Sequence, residues 1–364
     1  MNNWKTVRLG DVCEKGSSNI AQNEIADNCG EYPIYGAAGF IKNVDFYKQE
    51  KPYIGIVKDG AGVGRISVHP AKSSLIGTMQ YIFPNEDVDI NFLASFLRFQ
   101  NLGRFYTGAT IPHIYFKDYK EIKFKLPPLE TQKQIAAQLD KCTSIIAKHK
   151  QMLEKYDTLI KSRFIEMFGD PHNNTKYPYK NVGEFTTVTS GGTPDRKNNE
   201  YWKNGKIPWV KTTELQNNEL TEVEEFITQK GLDESSAKMM PKETLLIAMY
   251  GQGKTRGMTA YLGIEASTNQ ACACILPSKE INQRYLWYYF ILSYDKLRDL
   301  AKGGNQPNLN GNMIKSFPVL MPPIDMQNKY VSFVQQIDKS KFAVQQSLEK
   351  AETLYKSLMQ EYFG

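Results

Sequence analysis

Two long segments of the chain carry apolar residues at alternating steps of four and three positions. The first series runs through Ile135, Leu139, Cys142, Ile146, His149, Leu153, Tyr156, Ile160, Arg163 and Met167. The second runs through Tyr330, Val334, Ile337, Lys341, Val344, Leu348, Ala351, Tyr355, Leu358 and Tyr362. Heptad spacing of this kind predicts two long helices that bury their apolar stripes against each other as an antiparallel coiled coil. The polar positions in the seam either fix its register or mark imperfect ends of the coil.

Shorter apolar runs, punctuated by glycine, proline and asparagine, lie before each long helix. Predicted strands in the first part of the chain are YPIYGAAGF, PYIGIVKD, GRISV and MQYIF, followed by the helix INFLASFLRFQNLG. In the second part they are IPWV, TLLIAMY, MTAYLG and ACACIL, followed by the helix QRYLWYYFILSYDKLRDLA. The shared order of strands and then a helix predicts two domains that mix both kinds of element.

An internal repeat explains this shared order. Residues 108 to 169 align without gaps with residues 303 to 364, and LPPLETQ at Leu126 matches MPPIDMQ at Met321. The stretch LGDV near the start similarly matches VGEF after the first long helix. We therefore predict an α+β fold with a pseudo-two-fold internal repeat, in which two globular domains are separated by two long antiparallel coiled-coil helices. The predicted boundaries are 1–125 and 172–320 for the domains, and 126–171 and 321–364 for the helices.

The composition is that of an ordinary folded protein. Hydrophobic residues make up 41% and charged residues 23% of the 364 positions, which excludes a disordered chain. The net charge of +6 permits a polyanionic partner without requiring one. No apolar run approaches the roughly 20 residues that span a bilayer, so we expect a cytoplasmic protein without a membrane partner. Cys272 and Cys274 alternate within ACACIL, which indicates a buried strand and reduced thiols, not a metal site.

Two features resemble a known family. The stretch SGGTPDRKNNEYWKNGKIPWVKTTEL at positions 190–215 and the duplicated helices closely resemble the specificity subunit of type I restriction-modification enzymes, while YPIYGAAGF and GAGVGR match more loosely. The resemblance covers essentially the whole chain. It implies two target-recognition domains, each reading one half of a bipartite, asymmetric double-stranded DNA sequence, with the helices setting the length of the unread spacer.

The same resemblance implies the partners. Two modification subunits would dock on the helices, bring S-adenosylmethionine and methylate adenine at N6, and restriction subunits would supply ATP-driven translocation and cleavage. The chain itself would be non-catalytic and would need no cofactor. The residues agree with this expectation, because the only Pro-Pro pairs precede the long helices, where no Asn-Pro-Pro-Tyr turn is formed. His69, His113, His149 and His172 show no metal-ligand spacing.

Candidate DNA contacts are loop side chains that can bond to bases or phosphates. Asn and Gln can pair with adenine, Lys and Arg with guanine, and hydroxyl groups mostly with phosphate. The candidates in the first domain are Lys58, Arg65, Thr78, Gln80, Thr110, His113 and Tyr115. Those in the second are Arg196, Lys197, Lys211, Thr212, Thr213, Gln252, Lys254, Arg256, Asn269, Gln270, Asn305, Gln306 and Asn308. Each one taken alone is equally well explained as a solvated or capping side chain, and His113 as a turn histidine.

The stretch LLIAMYGQGKTRG at 245–257 raises the alternative of a nucleotide hydrolase. A phosphate-binding loop needs a glycine where Ala248 stands and a helix after the Lys-Thr pair, whereas RGMTAYLG is typical of a strand. In the first domain KDGAGVGRISV offers a match that sets Gly60, Gly62 and Arg65 opposite Gly251, Gly253 and Arg256. We therefore interpret both stretches as glycine turns that approach DNA, with a turn shaped only for packing, and a coiled-coil adaptor without a nucleic-acid role, as the remaining alternatives.

Overall fold

The computed structural model describes residues 4–108, 112–251, 253–301 and 308–364. The chain forms two compact units. The first unit holds residues up to 152 together with 344–364, and the second holds 153–343. The predicted contacts Thr110, Gln252, Asn305 and Gln306 lie outside the described residues. Within the described ranges, no helix is long and apolar enough to cross a membrane.

The first unit is built from three small sheets. Its strands are β1 (Lys5–Arg8), β2 (Cys13–Ser17), β3 (Tyr32–Gly36), β4 (Gly39–Val44), β5 (Tyr53–Val57), β6 (Ile66–His69), β7 (Ser74–Leu75), β8 (Met79–Pro84) and β9 (Lys123–Leu126). Its short helices are α1 (Leu9–Val12), α2 (Ile90–Phe99) and α3 (Phe116–Tyr119), with 3-10 turns at Gln22–Ile25 and Leu102–Phe105. The sheet orders are β2-β8-β5-β6, β4-β3-β7 and β1-β9. The long helix α4 (Leu129–Phe168) follows and continues into the second unit.

The second unit repeats this plan with additional strands. Its strands are β10 (Tyr179–Asn181), β11 (Val188–Ser190), β12 (Ile207–Val210), β13 (Asn218–Leu220), β14 (Glu225–Ile227), β15 (Met239–Met240), β16 (Leu245–Ala248), β17 (Thr259–Leu262), β18 (Ala266–Thr268), β19 (Cys272–Ile275) and β20 (Pro318–Leu320). Its short helices are α5 (Val182–Phe185), α6 (Gln229–Asp233), α7 (Gln283–Leu292), α8 (Tyr294–Asp299) and α9 (Gly311–Lys315), with 3-10 turns at Asn199–Tyr201 and Thr212–Glu214. The second long helix is α10 (Ile324–Phe363). The sheet orders are β11-β19-β16-β17-β13, β14-β12-β18-β15 and β10-β20.

The predicted helix at 283–301 is two helices in the structure. The Oγ atom of Ser293 donates a hydrogen bond to the carbonyl of Tyr289 (2.7 Å), and the residue ends α7 before α8 begins at Tyr294. A serine side chain that bonds four residues back competes with the helical ladder, which accounts for the break. The predicted strand at Cys272 and Cys274 is confirmed as β19, and burial raises the pKa of the Cys274 thiol to about 11.

A buried glutamine joins each short core helix to the start of a long helix. In the first unit Gln132 accepts a hydrogen bond from the backbone N–H of Asp89 (2.8 Å), the residue that caps α2. In the second unit Gln327 accepts the equivalent bond from the N–H of Asn282 (2.8 Å), which caps α7. Both side-chain amides also donate to the carbonyl of the first proline of the Pro-Pro pair. The repeat of glutamine in LPPLETQ and MPPIDMQ therefore has a structural cause.

The long helices pair antiparallel within each unit. In the first unit Tyr362 donates to the Gln138 amide oxygen (2.8 Å), and Lys150 pairs with Glu352 (2.9 Å). In the second unit Lys341 pairs with Asp157 (2.6 Å). The predicted seam is confirmed, since its positions are buried or half-buried while their neighbours on the outer faces are exposed. The helices begin at residues 129 and 324, three residues after the predicted starts, because strands β9 and β20 and the prolines occupy the preceding positions.

Candidate DNA interface

A glycine loop joins two antiparallel strands in each unit. In the first unit it lies between β5 and β6 and is closed by the Gly64 N–H donating to the Val57 carbonyl (2.8 Å). In the second it lies between β16 and β17 and is closed by the Gly257 N–H donating to the Ala248 carbonyl (2.9 Å). Both closing glycines have left-handed backbones, with φ of 84° and 85°. Strand β17 follows GKT where a phosphate-binding loop requires a helix, so these residues do not form such a loop.

These closing bonds correct the predicted alignment of the two loops. Gly64 is equivalent to Gly257, so the residue opposite Arg65 is Met258 and not Arg256. The loop in the second unit is longer than the loop in the first. Arg65 therefore follows the closing glycine of its loop, whereas Arg256 precedes the closing glycine of its own. The match Gly-x-Gly-x-x-Arg does not describe equivalent arginines.

In each unit the segment before the last short helix forms a backbone hydrogen bond with the first residues of the glycine loop. The N–H of Ile114 donates to the carbonyl of Lys58 (2.9 Å), and the N–H of Leu309 donates to the carbonyl of Met249 (3.0 Å). Ile114 and Leu309 occupy matching positions of the repeat, and each is almost fully buried. Residues 112–114 and Leu309 are thus brought to the base of the glycine loops in the two units, as a candidate binding surface requires.

In the first unit a carboxylate holds two of the candidate contacts together. Asp59 forms an ion pair with Lys58 and accepts a hydrogen bond from Nδ1 of His113 (2.7 Å). Burial raises the pKa of Asp59, but the bonds from Lys58 and His113 outweigh it and hold the pKa below its ordinary value. The backbone N–H of Lys58 donates to the carbonyl of Thr78 (3.0 Å), whose side chain is exposed. Lys58, Thr78 and His113 therefore form one partly exposed cluster.

The remaining candidates of the first unit separate into surface and core. Arg65 is exposed, and its Nη1 donates to the carbonyl of Ala37 (2.8 Å) at the turn between β3 and β4. Tyr115 is also exposed, with Nζ of Lys117 5.3 Å from its ring centre. Gln80 is buried in β8, and its amide donates to the Tyr119 hydroxyl in the core. Burial removes Gln80 from the contacts that DNA can reach.

In the second unit two candidate cations already have acidic partners. The Cζ of Arg196 lies 3.7 Å from the ring centre of Trp202, and the guanidinium pairs with Glu225. Lys211 pairs with Glu224 (2.7 Å) and with Glu225 (3.0 Å), and these hydrogen bonds raise the pKa of Lys211. Burial raises the pKa of Glu225, but its two cationic partners outweigh burial and lower the pKa overall. Arg196 and Lys211 must therefore exchange carboxylate for phosphate or base atoms if they bind DNA.

The stretch that begins GGTP has a packing role. A Cβ atom on Gly191 would lie 2.0 Å from the Thr268 carbonyl oxygen, and one on Gly192 would lie 2.3 Å from Ser236 backbone atoms. The indole Nε1 of Trp209 donates to the Gly192 carbonyl (2.9 Å). These glycines let the loop lie against strand β18, which agrees with a loop-shaping role.

The other candidates of the second unit differ in their contacts and exposure. Asn269 accepts from the N–H of Ala271 (3.1 Å) within a turn, and exposed Gln270 accepts from the Thr193 hydroxyl. Lys197 and Thr213 are exposed, whereas Thr212 and Asn308 are half-buried. The side chain of Lys254 is exposed, and Arg256 is half-buried.

Sequence reasoning missed the residues that support the second glycine loop. Arg298 of α8 donates to the carbonyls of Gly253 (2.9 Å) and Arg256 (2.7 Å). The hydroxyl of Tyr294 donates to the carbonyl of Lys254 (2.7 Å). Contacts between residues so far apart leave no local pattern in the sequence. They bind carbonyl groups of the loop backbone and do not involve the Lys254 ammonium group. In the described part of the chain, no group of three or more His, Cys, Asp or Glu residues could hold a metal ion.

Comparison with known proteins assigns the fold to a family. The model of the type I restriction modification DNA specificity domain matches residues 1–155 and 174–352. The chain belongs to this family. It is 25% identical over 238 residues to the specificity subunit of the Escherichia coli enzyme EcoR124I/EcoR124II, covering 62% of this chain and 57% of that protein. It is 22% identical to the MjaVIII specificity subunit of Methanocaldococcus jannaschii, covering 98% of this chain and 91% of that protein.

A solved structure shares the fold over the full length. The S subunit of a type I restriction-modification system from M. genitalium superposes with a TM-score of 0.69 at 15% identity, covering 100% of this chain and 96% of that one. The match to the E. coli relative spans little more than half of the length of that protein.

Proposed function

We propose that this chain is the DNA-recognition subunit of a type I restriction-modification complex in the cytoplasm. Residues 1–125 and 172–320 form its two target-recognition domains, and each reads one half of a bipartite, asymmetric duplex sequence. The long helices set the spacer and dock two modification subunits. Adenine methylation and ATP-dependent cleavage take place in the modification and restriction subunits, and this chain carries no catalytic residue of its own.

One observation supports this proposal most directly: the two units present equivalent loops that carry different side chains. The bonds Ile114 to Lys58 and Leu309 to Met249 are equivalent, as are the closing bonds of both glycine loops. Yet one loop is followed by Arg65 and lies beside His113, whereas the other carries Lys254 and is supported by Arg298. An asymmetric bipartite target requires the same backbone arrangement in both domains with different side chains to contact the bases.

The glycine loops also have the chemistry to approach a phosphate backbone. A Cβ atom on Gly60 or on Gly253 would meet nothing within 4 Å, so both loop backbones face open space. Exposed Arg65 and Lys254 supply cations at the same loops. Backbone amides and cations fix the orientation of a protein on a duplex, while other side chains read the base edges.

The test is a methylome of cells that express this chain with its modification partner. We expect a split adenine-methylation motif with a spacer of constant length. Exchanging residues 172–320 for the corresponding domain of another family member should change one half of the motif only. An assembled complex that binds its methyl donor yet produces no split motif would contradict the proposal.

The alternative functions make different predictions. A nucleotide hydrolase using GQGKT would bind ATP in a manner that Lys254→Ala abolishes, and strand β17 in place of the required helix argues against it. A coiled-coil adaptor would leave duplex binding weak and independent of sequence. Fluorescence anisotropy with labelled ATP and with labelled duplexes distinguishes all three.

A further inference from the structure

The two units differ at the point where the strand of the signature stretch ends. Strands β3 and β12 are equivalent, because Ile34 pairs in parallel with Ser74 of β7 while Trp209 pairs in parallel with Ser267 of β18. After β12 the chain continues through the polar residues 211–213, three of the predicted DNA contacts. After β3 it makes a tight turn at residues 37–38 and returns as β4. The corresponding position of the first unit is therefore an apolar hairpin tip.

The hairpin tip presents an aromatic ring to solvent. Phe40 is 61% exposed, and Ala38 beside it is also exposed. Tyr35 on the opposite strand contacts the Phe40 ring edge to face, with ring centres 6.1 Å apart and planes inclined by 70°. This contact holds the ring in one orientation while leaving most of its surface uncovered. A single exposed phenylalanine is common on proteins, so the neighbouring contacts decide its meaning.

Those neighbours belong to the candidate DNA interface. The guanidinium of Arg65 donates to the carbonyl of Ala37 (2.8 Å), which attaches the hairpin tip to the glycine loop. The same loop begins with Lys58 and Asp59, and the Asp59 carboxylate contacts both Lys58 and His113. The apolar tip is therefore adjacent to the cations that would contact phosphate.

We propose that Phe40 and Ala38 read a thymine through its C5 methyl group in the major groove of the half-site bound by the first domain. The side chains at the tip offer no hydrogen-bond donor or acceptor, and apolar contact with the thymine methyl is the means by which such side chains distinguish bases. The inference rests on the proposed function, and it assigns a base preference to a position where the second domain uses Lys211, Thr212 and Thr213.

The experiment uses the complex with its modification partner and duplexes carrying the motif found by methylome sequencing. Each thymine of the first half-site is replaced in turn by deoxyuridine, which keeps base pairing and removes only the methyl group. At one thymine the wild-type complex should bind about fourfold more weakly after replacement, the effect of losing one buried methyl group. Phe40→Ala should bind the unmodified duplex weaker by a similar factor and should no longer distinguish thymine from deoxyuridine at that position.

Two control variants distinguish loss of the thymine contact from a general effect on folding. Phe40→Leu keeps an apolar side chain and should retain part of the discrimination, and Phe226→Ala, which removes an exposed ring from β14 of the second unit, should leave the first half-site unaffected. A wild-type complex that binds every deoxyuridine duplex as tightly as the unmodified one, or a Phe40→Ala complex that still discriminates deoxyuridine, overturns the inference while the proposed function stands. A complex that produces no split methylation motif contradicts the proposed function itself.

Discussion

Replacing Gln132 by leucine tests whether the repeated glutamine holds each core helix to its long helix. Its side chain is almost fully buried and makes three hydrogen bonds to backbone groups: the N–H of Asp89 (2.8 Å) and the carbonyls of Pro127 (2.9 Å) and Asp87 (3.0 Å). Two of these bonds, to Asp89 and Asp87, connect α4 to the residues at the start of α2, so at about 1 kcal/mol each Gln132→Leu should weaken this connection by about 2 kcal/mol. Among the described residues, Gln327 makes one such bond, to Asn282 at the start of α7, so Gln327→Leu should cost about 1 kcal/mol.

Hydrogen exchange followed by mass spectrometry measures both effects separately. Loss of about 2 kcal/mol corresponds to roughly 30-fold faster exchange in the first turn of α2 when opening is local. Gln132→Leu should accelerate exchange in Ile90–Phe99 and leave Gln283–Leu292 unchanged, and Gln327→Leu should do the reverse.

The matched control is Gln151→Leu, which changes an exposed glutamine on the same helix as Gln132. It should alter stability by no more than about 0.5 kcal/mol. If Gln132→Leu accelerates exchange in α2 no more than this control does, the bonds to Asp89 and Asp87 do not couple the two helices and the reasoning is refuted.

Three further predictions concern the loops and a buried histidine. Lys254→Ala in the complex should weaken binding to all duplexes alike and reduce the slope of log affinity against log salt by about 1, whereas an effect on one sequence only would indicate base contact. Gly64→Ala should cost about 3 kcal/mol, because its Cβ would lie 2.2 Å from the Gly103 nitrogen at a φ of 84°. Gly60→Ala, where the added Cβ meets open space at a φ of 88°, should cost about 1 kcal/mol. Equal melting temperatures of the two variants would contradict this prediction. Burial lowers the pKa of His69 from 6.5 to about 4, so its neutral form contributes stability above pH 6.5 that is lost as the pH falls to about 4. His69→Phe should remove about 2 kcal/mol of the stability difference between pH 7 and pH 5 in urea unfolding, and an unchanged difference would show that His69 does not titrate in this way.

The structure places some of the candidate contacts in exposed loops and others in the core or in ion pairs, for identifiable reasons. Gln80 occupies a strand that is buried on both faces, and a sequence does not reveal how many layers cover a strand. The register of β12 and β14 sets Glu225 opposite Trp209, which brings a carboxylate to Arg196 and Lys211 from a distant part of the chain. The apparent match of Arg65 with Arg256 failed because a longer loop shifts the closing glycine. Each of these outcomes depends on strand pairing between remote segments.

The sequence by itself determined the parts of this protein that follow from local periodicity and duplication. The heptad seam, the proline pairs that precede the long helices and the order of strands and short helices are all visible along the chain, because they arise from spacing between near neighbours. Tertiary structure alone decided which carboxylates neutralise Arg196 and Lys211, that Arg298 supports the loop of Lys254, and that Phe40 stands exposed beside Arg65. These contacts join residues far apart in sequence, and only the packing of sheets and helices fixes the distances between them.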